Sequence, residues 1–184
     1  MMTILTSKGR ADLCKIFFDL GFKRGAEIGV WTGEFSEQIC QANPSVQLLC
    51  VDPWLKYPDY NEKKNNQGRL DEAYNIASHR LGMYDCVLMR MTSMQAAATV
   101  PSDFLDFVYI DGNHSKYFVD ADLAAWYPKI RSGGIIAGHD YQLRKPKHWI
   151  QVKDAVDDFV KIHQIADWYV LAGDKHPSFY WVKP

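Results

Sequence analysis

Two short segments in the second half of the chain combine acidic side chains with histidines. In the segment YIDGNH, Asp111 lies three residues before His114. In the segment GGIIAGHDY, His139 directly precedes Asp140. Carboxylate oxygens are the ligands that hard divalent cations prefer, and a near-neutral histidine can accept a proton from a hydroxyl group. The two segments therefore predict a cation held by Asp111 and Asp140, with His114 as a general base.

An earlier segment, AEIGVWTGEF, follows an apolar run with two glycines and the start of a helix. Gly29 and Gly33 allow a tight turn and the close approach of a ligand to the backbone. The helix that begins near Glu34 offers unpaired N–H groups. The spacing is E-x-G-x-x-x-G from Glu27, with Trp31 where a dinucleotide motif would have its middle small residue, so a bound pyrophosphate is not favoured.

Polar residues also follow the next two predicted strands. Asp52 ends one of them and could accept both hydroxyl groups of a ribose. Trp54, two residues further on, could pack against an adenine ring or against the core. Ser93 follows the third strand, where it predicts a helix cap over 94–98 that is compatible with a contact to the adenine edge.

The elements that must position these residues alternate in type along the chain. Apolar residues at helical spacing predict a helix between Ser7, as its cap, and Gly21. Strands are predicted at 25–30, 46–52, 86–91, 104–111, 134–140, 168–173 and 178–183. Further helices are predicted at 34–43, from the end of the polar region 56–66 to about Leu81, and at 93–100, 115–130 and 151–163.

Alternating strands and helices predict a Rossmann-like, doubly wound α/β fold with right-handed crossovers. We expect a mostly parallel seven-stranded sheet in the order 3-2-1-4-5-7-6, with the last two strands as an antiparallel hairpin at its edge. Ligands bind such sheets outside the carboxyl ends of the strands. The glycine turn, Asp52, Ser93, Asp111 and Asp140 all fall at such ends, which predicts one shared site.

Composition limits the kind of protein. The 184 residues predict a single domain spanning 1–184, and 47% hydrophobic with 23% charged residues is typical of globular proteins. The net charge of −1 does not favour a nucleic-acid partner. No apolar run approaches the roughly 20 residues of a membrane span, so we expect no membrane partner and a cytoplasmic location. The four cysteines form no CxxC pair and are expected to be buried free thiols.

Together these motifs resemble the class I S-adenosylmethionine-dependent methyltransferases. The likeness is greatest to the macrocin-type and mycinamicin-type sugar O-methyltransferases and more distant to catechol O-methyltransferase. It covers roughly Ala26 to Tyr141, with the C-terminal hairpin in outline. The residues that carry it are E-x-G-x-x-x-G, DPW at 52–54, IDGNH and GGIIAGHDY.

The resemblance implies a role for each matching position. His114 matches the general base, which is a lysine in the catechol enzyme. The residues implied in cofactor binding are Glu27, Gly29, Trp31, Gly33, Asp52, Trp54, Ser93 and Asp111. The residues implied in metal binding are Asp111, His139 and Asp140, with His139 standing where relatives often have another acid.

The activity implied is methyl transfer from S-adenosyl-L-methionine to a hydroxyl group of a small molecule, assisted by Mg²⁺ or another divalent cation. A sugar, a glycoside or a phenolic compound would suit as acceptor. Two alternatives stay open: a nicotinamide-dependent oxidoreductase, which the missing GxGxxG motif disfavours, and a non-catalytic cofactor-binding module of the same fold.

Two segments are candidates for the walls of the acceptor site. One is the polar segment 56–69, with Tyr57 and Tyr60, and the other is the loop 141–149, with Arg144, Lys145 and His148. The first helix and the aromatic hairpin could form the interface of a homo-oligomer.

Overall fold

The computed structural model describes residues 1–57, 66–143 and 149–184. Its strands are β1 Met2–Leu5, β2 Arg24–Ile28, β3 Gln47–Val51, β4 Cys86–Met89, β5 Leu105–Ile110, β6 Ile130–Gly138, β7 Trp168–Leu171 and β8 Ser178–Val182. Its helices are α1 Arg10–Asp19, α2 Glu34–Ala42, α3 Gln67–Leu81, α4 Ser93–Thr99, α5 Lys116–Trp126 and α6 Val152–Ile162, with a 3₁₀ turn at Tyr127–Lys129. Among these described helices, none is long and apolar enough to cross a membrane.

The strands form one sheet in the order β1-β7-β8-β6-β5-β2-β3-β4. From β7 to β4 this is the predicted order of seven strands, with β8 antiparallel to both β6 and β7. The predicted number of strands was wrong, because β1 adds an eighth that pairs in parallel with β7. The β7–β8 hairpin is therefore not at the edge of the sheet, because β1 is the edge strand beside β7. The sequence of β1, MTIL, is short and mostly exposed, so it lacks the buried-strand pattern that revealed the others.

The central strand β5 shows how the two faces of the sheet are built. All six of its residues are buried, and successive side chains point to opposite faces. Phe107 and Tyr109 pack into a core with α1, α2 and α3. Val108 and Ile110 pack into a second core with α4, α5 and α6. Helices on both faces explain why this strand is apolar at every position except Asp106.

Helix α1 begins later than the sequence predicts. Its cap is Gly9 and not Ser7, and the Asp12 carboxylate accepts a hydrogen bond from the Gly9 N–H at 2.9 Å. The Arg10 N–H donates to Asp174, in the turn between β7 and β8, at 2.7 Å. A distant carboxylate thus satisfies a free N–H group at the helix start, which local sequence cannot show.

The cysteines lie mainly in the core, as expected. Cys14, Cys40 and Cys50 are buried, Cys86 is partly buried, and all four are free thiols. The sulfur atoms of Cys40 and Cys86 are 3.5 Å apart. Cys40 lies on α2 and Cys86 begins the edge strand β4, so this pair packs α2 against that strand.

Candidate active site

A cavity of about 590 Å³ opens at the carboxyl ends of β2, β3, β5 and β6. Its volume lies in the range of small-molecule sites, roughly 300–1,000 Å³. Of the residues predicted for the site, those that line it are Glu27, Gly29, Trp31, Asp52, Ser93, Asp111, His114, His139 and Asp140. Gly33 and Trp54, the other two, lie outside its lining.

The glycines of the first turn are required by the packing of the protein itself. Gly29 has a φ of +90°, and a side chain there would overlap the backbone carbonyl of Asp111 at the end of β5. Gly33 caps α2 with a φ of +77°, and a side chain there would point at Leu81 of α3. Of the two glycines, only Gly29 lines the cavity, and its missing side chain lets β2 lie close to the end of β5.

Asp52 holds the same turn from the neighbouring strand. Its Oδ2 atom accepts hydrogen bonds from the N–H groups of Val30, at 3.1 Å, and Trp31, at 3.0 Å. Its Oδ1 atom accepts a hydrogen bond from the Trp54 N–H at 2.7 Å. Burial raises the pKa of Asp52, and these three hydrogen bonds oppose that rise. Asp52 also lines the cavity, and a carboxylate that accepts three hydrogen bonds has capacity left for a ribose hydroxyl group.

Trp54 has a structural role. Its side chain is fully buried, and its indole N–H donates to the Trp31 carbonyl at 2.8 Å. The ring packs edge-on against Tyr74 of α3 with centroids 5.0 Å apart. Of the two roles that the sequence left open for Trp54, the structure shows packing in the core.

Ser93 lines the cavity, but it is not the helix cap. That cap is Thr92, whose side chain accepts from the Gln95 N–H, and α4 begins at Ser93. The Ser93 hydroxyl accepts a hydrogen bond from the Trp126 indole N–H at 2.8 Å. It also donates a hydrogen bond to the Asp122 carboxylate. Because a hydroxyl has one proton to donate, its remaining capacity toward the cavity is that of an acceptor.

Glu27 is a buried carboxyl group at the floor of the cavity. Only 2% of the residue is exposed, and its Oε2 atom accepts a hydrogen bond from the Ser36 hydroxyl. Burial raises the pKa of Glu27 to about 8, the Ser36 hydrogen bond opposes this, and the Asp111 carboxylate adds to the rise. The cavity floor therefore holds a proton that a cationic ligand could displace.

Two carboxylates and two imidazoles converge on one side of the cavity. His114 Nε2 lies 3.0 Å from Asp140 Oδ2 and 3.7 Å from Asp111 Oδ1. His139 Nδ1 lies 3.5 Å from Asp111 Oδ1 and 3.5 Å from Asp140 Oδ2. One ligand atom from each of Asp111, His139 and Asp140 lies within 4.8 Å of the others, so this set could hold a metal ion. The four residues that the motifs singled out are thus brought together.

The backbone fixes these side chains at the strand ends. The Asp111 N–H donates to the Ile28 carbonyl at 2.7 Å, and the His139 N–H donates to the Ile110 carbonyl at 3.0 Å. Asp140 has a φ of +57°, a left-handed conformation that costs about 1 kcal/mol or more in a residue with a side chain. Backbone strain of this kind concentrates at functional sites.

The charges in this cluster depend strongly on one another. Burial lowers the pKa of His114, but the carboxylates of Asp111 and Asp140 outweigh it and raise that pKa to about 10. The same balance raises the pKa of His139 to about 9. Burial raises the pKa of each aspartate, but the two imidazoles outweigh it and hold that pKa below its ordinary value. In the protein alone, the two negative charges are therefore balanced by protonated histidines.

Two residues at the site escape sequence reasoning. Arg10, at the start of α1, lines the cavity with its guanidinium 5.1 Å from the Phe35 ring centroid and 3.9 Å from Asp111 Oδ2. His176, in the turn between β7 and β8, places Nδ1 2.8 Å from Asp140 Oδ1. Neither belongs to a motif, and only the pairing of distant strands brings them to the site.

The outer part of the cavity is aromatic. Tyr57, Phe118 and Trp149 line it beside His114, and Asn113 donates a hydrogen bond to the Tyr57 hydroxyl at 3.1 Å. Tyr57 was predicted to lie in this wall. The other residues predicted for the acceptor walls, Tyr60, Arg144, Lys145 and His148, fall outside the residues that the structure describes.

Three of the solved structures with the same fold are described as O-methyltransferases. A proposed caffeoyl-CoA O-methyltransferase from Staphylococcus aureus aligns over 95% of this chain and 82% of its own, with 15% identity and a TM-score of 0.69. The O-methyltransferase NovP aligns over 95% and 79%, with 21% identity and a TM-score of 0.69. TomG from Streptomyces achromogenes, an O-methyltransferase solved in complex with S-adenosylmethionine, aligns over 95% and 80%, with 14% identity and a TM-score of 0.66. The fold is therefore that of the Rossmann-like methyltransferases.

The sequence pattern that defines a methyltransferase domain family matches residues 26–141. This is more than half of the chain, and it contains every residue predicted for cofactor binding, metal binding or proton transfer. The chain therefore belongs to this family of S-adenosylmethionine-dependent methyltransferases. None of the curated proteins compared with the chain matches it. Nothing in these comparisons supports the oxidoreductase alternative.

Proposed function

We propose that the protein transfers a methyl group from S-adenosylmethionine to a hydroxyl oxygen of a small molecule, assisted by a divalent cation. One observation carries the proposal: a single cavity contains both the nucleoside-binding set around Asp52 and the carboxylate–imidazole cluster around Asp111. A methyl donor bound to the first set would lie beside an acceptor bound at the second. The family supplies the class of reaction, and the cluster supplies the reason to propose oxygen as the acceptor atom.

Each part of the methyl donor has a suitable neighbour in the cavity. The cofactor supplies a methyl group on a positively charged sulfur atom. Asp52 would accept from the ribose hydroxyls, and the Ser93 hydroxyl would accept from the adenine amino group. Arg10 would bind the carboxylate of the methionine part, since its guanidinium reaches the cavity beside Glu27. Glu27, once deprotonated, would favour the positive charges of the same part.

The donor set of Asp111, His139 and Asp140 fits a divalent cation. Such an ion, when bound there, supplies positive charge that lowers the pKa of a nearby hydroxyl group. His114 lies on the aromatic side of the cluster, 6.0 Å from the Trp149 ring. The positive charge of a bound cation would disfavour the protonated imidazole, and the neutral His114 could then take up the hydroxyl proton. The protein's remaining task is to align acceptor oxygen and methyl group, because displacement at carbon depends on distance and angle.

The acceptor is proposed from the chemistry of the outer cavity. Tyr57, Phe118 and Trp149 present flat surfaces next to the polar Asn113. Such a combination suits the ring of a sugar, a glycoside or a phenolic compound. The macrocin-type resemblance of the motifs favours a sugar hydroxyl. We propose no nucleic-acid or membrane partner.

Calorimetric titration with S-adenosylmethionine and S-adenosylhomocysteine tests the first half of this proposal. The wild type should bind both ligands. Asp52→Asn keeps the side-chain volume but loses charge-assisted hydrogen bonds, so it should bind each ligand about tenfold or more weakly. Arg24→Ala, on an exposed position of β2, should bind like the wild type. Absence of binding by the wild type would contradict the proposed function.

Release of S-adenosylhomocysteine with a panel of sugars, glycosides and catechols tests the second half. His114→Ala should bind S-adenosylmethionine like the wild type and lose turnover by about 10²–10⁴-fold, the usual contribution of a general base. Unchanged turnover in this variant would remove His114 from the mechanism. Cofactor binding without turnover on any hydroxylated compound would favour the non-catalytic module.

A further inference from the structure

The cation site differs from an all-oxygen site because one of its three ligands is an imidazole. Asp111 and Asp140 offer carboxylate oxygens, and His139 offers Nδ1 at 3.5 Å from an oxygen of each. With bond lengths near 2.1 Å, two ligands on one metal ion lie about 3.0–3.4 Å apart. The observed distances from Nδ1 to the two carboxylate oxygens are therefore close to those expected between ligands of one metal ion. His139 can serve as a ligand together with the two aspartates.

The position of the imidazole is built into the fold. The His139 N–H continues the hydrogen-bond ladder from β6 to β5, which fixes the backbone, and only 14% of the side chain is exposed. Nδ1 is the ring nitrogen that faces both carboxylates. A neutral imidazole with its proton on Nε2 would direct its lone pair into the site.

His176 restricts how Asp140 can bind a cation. Its Nδ1 lies 2.8 Å from Asp140 Oδ1, and an ionised carboxylate can only accept, so the imidazole donates this hydrogen bond. Oδ1 is thereby occupied, and Oδ2 is the oxygen that faces His139. Asp140 would therefore bind through one oxygen, held in place by a second imidazole as in many transition-metal sites.

Imidazole and carboxylate ligands favour different cations. Mg²⁺ prefers oxygen ligands and retains much of its water, whereas imidazole suits Fe²⁺, Co²⁺, Ni²⁺, Cu²⁺ and Zn²⁺. We infer that His139 makes this site selective for a first-row transition-metal ion over Mg²⁺. The inference rests on the proposed function for the presence of a cation and adds the identity of its class.

Calorimetric titration of the intact protein with Co²⁺ and with Mg²⁺ tests the inference without measuring activity. The wild type should bind Co²⁺ more tightly than Mg²⁺. In His139→Asp the ratio of the two affinities should fall by about 10–100-fold, the scale on which ligand-shell changes act. The ratio is the useful quantity, because the added negative charge strengthens the binding of both cations.

His79→Asp is the matched control, since it makes the same change on the exposed face of α3, outside the cavity lining. It should leave the affinity ratio unchanged. The visible absorption spectrum of bound Co²⁺ gives a second reading, because replacing a nitrogen ligand by oxygen shifts its ligand-field bands. His139→Asp should shift these bands, and His79→Asp should not.

The outcomes separate the inference from the proposed function. Equal or tighter binding of Mg²⁺ by the wild type, or an unchanged Co²⁺ spectrum in His139→Asp, would overturn the inference and leave metal-assisted transfer standing. Binding of neither cation, with normal binding of S-adenosylmethionine, would overturn the inference together with the metal part of the proposed function. Tight Co²⁺ binding that depends on His139 would support the inference.

Discussion

At the scale of single residues, side chains in the cavity serve the structure and a ligand at the same time. Asp52 accepts hydrogen bonds from three backbone N–H groups and thereby fixes the turns around Trp31 and Trp54. It also lines the cavity. Ser93 is bonded to Trp126 and Asp122 behind the cavity wall. Such residues are held rigidly before a ligand arrives, which reduces the entropy lost on binding.

Glu27 gives a prediction about pH, because burial raises its pKa from the ordinary 4.5 to about 8. Between these pH values the folded protein keeps a proton that the unfolded chain releases, so the free energy of unfolding falls as the pH rises. Glu27→Gln removes this contribution. Compared with the wild type, the variant should gain stability at pH 8.5, by up to about 1.4 kcal/mol for each pKa unit of the shift, and gain none near pH 4.5.

Chemical denaturation at several pH values measures this difference. Glu72→Gln, on the exposed surface of α3, is the control and should run parallel to the wild type at every pH. Parallel curves for Glu27→Gln as well would show that this carboxyl group ionises in the folded protein as it does in the unfolded chain.

At the scale of elements, the polar residues are delivered by the ends of strands and by one helix start. Asp111 and His139 end β5 and β6, which are neighbours in the sheet. Arg10 comes from α1, whose first turn is held by Asp174 between β7 and β8. The same turn carries His176, which holds Asp140. The β7–β8 turn is therefore hydrogen-bonded both to the helix that carries Arg10 and to the cluster that would hold the cation.

Arg10→Ala tests the contribution of α1 to cofactor binding. The loss of a charge-assisted contact to the carboxylate of the ligand should weaken the binding of S-adenosylhomocysteine by about 10–100-fold. Adenosine, which lacks that carboxylate, should bind the variant and the wild type alike. A calorimetric comparison of the two ligands measures this, and an equal loss for both would mean that Arg10 only shapes the cavity.

At the scale of the whole molecule, a ligand that binds the folded protein alone raises its stability. At 100 times its dissociation constant, S-adenosylhomocysteine should add about 2.7 kcal/mol and raise Tm by about 5–10 °C for a chain of this size. NADH at the same concentration should leave Tm unchanged, because the E-x-G-x-x-x-G turn lacks the pyrophosphate motif. The opposite result in thermal unfolding would revive the oxidoreductase alternative.

Much of the fold and of the site could be predicted from the sequence. The strands at 25–30 and 104–111 are visible as apolar runs, and right-handed crossovers leave few possible orders for the sheet. Residues directly after parallel strands must lie together at the carboxyl ends of those strands. The sequence is therefore sufficient to predict Asp111 and Asp140 as neighbours. The exposed strand β1 and the start of α1 carried no comparable signal. Strand β1 is held by pairing with β7, and the Arg10 N–H at the start of α1 donates to the distant Asp174.

The sequence by itself determined the type of every element except β1, the strand ends where chemistry can occur, and the motifs that place the chain among methyltransferases. Only the tertiary structure decided that Trp54 belongs to the core and that Arg10 and His176 belong to the site. Periodicity and motifs report on residues that are close in the chain. The β7–β8 turn contacts Arg10 at the start of α1 and Asp140 after β6. These residues are far apart in the chain, and their contacts form only when the sheet is assembled.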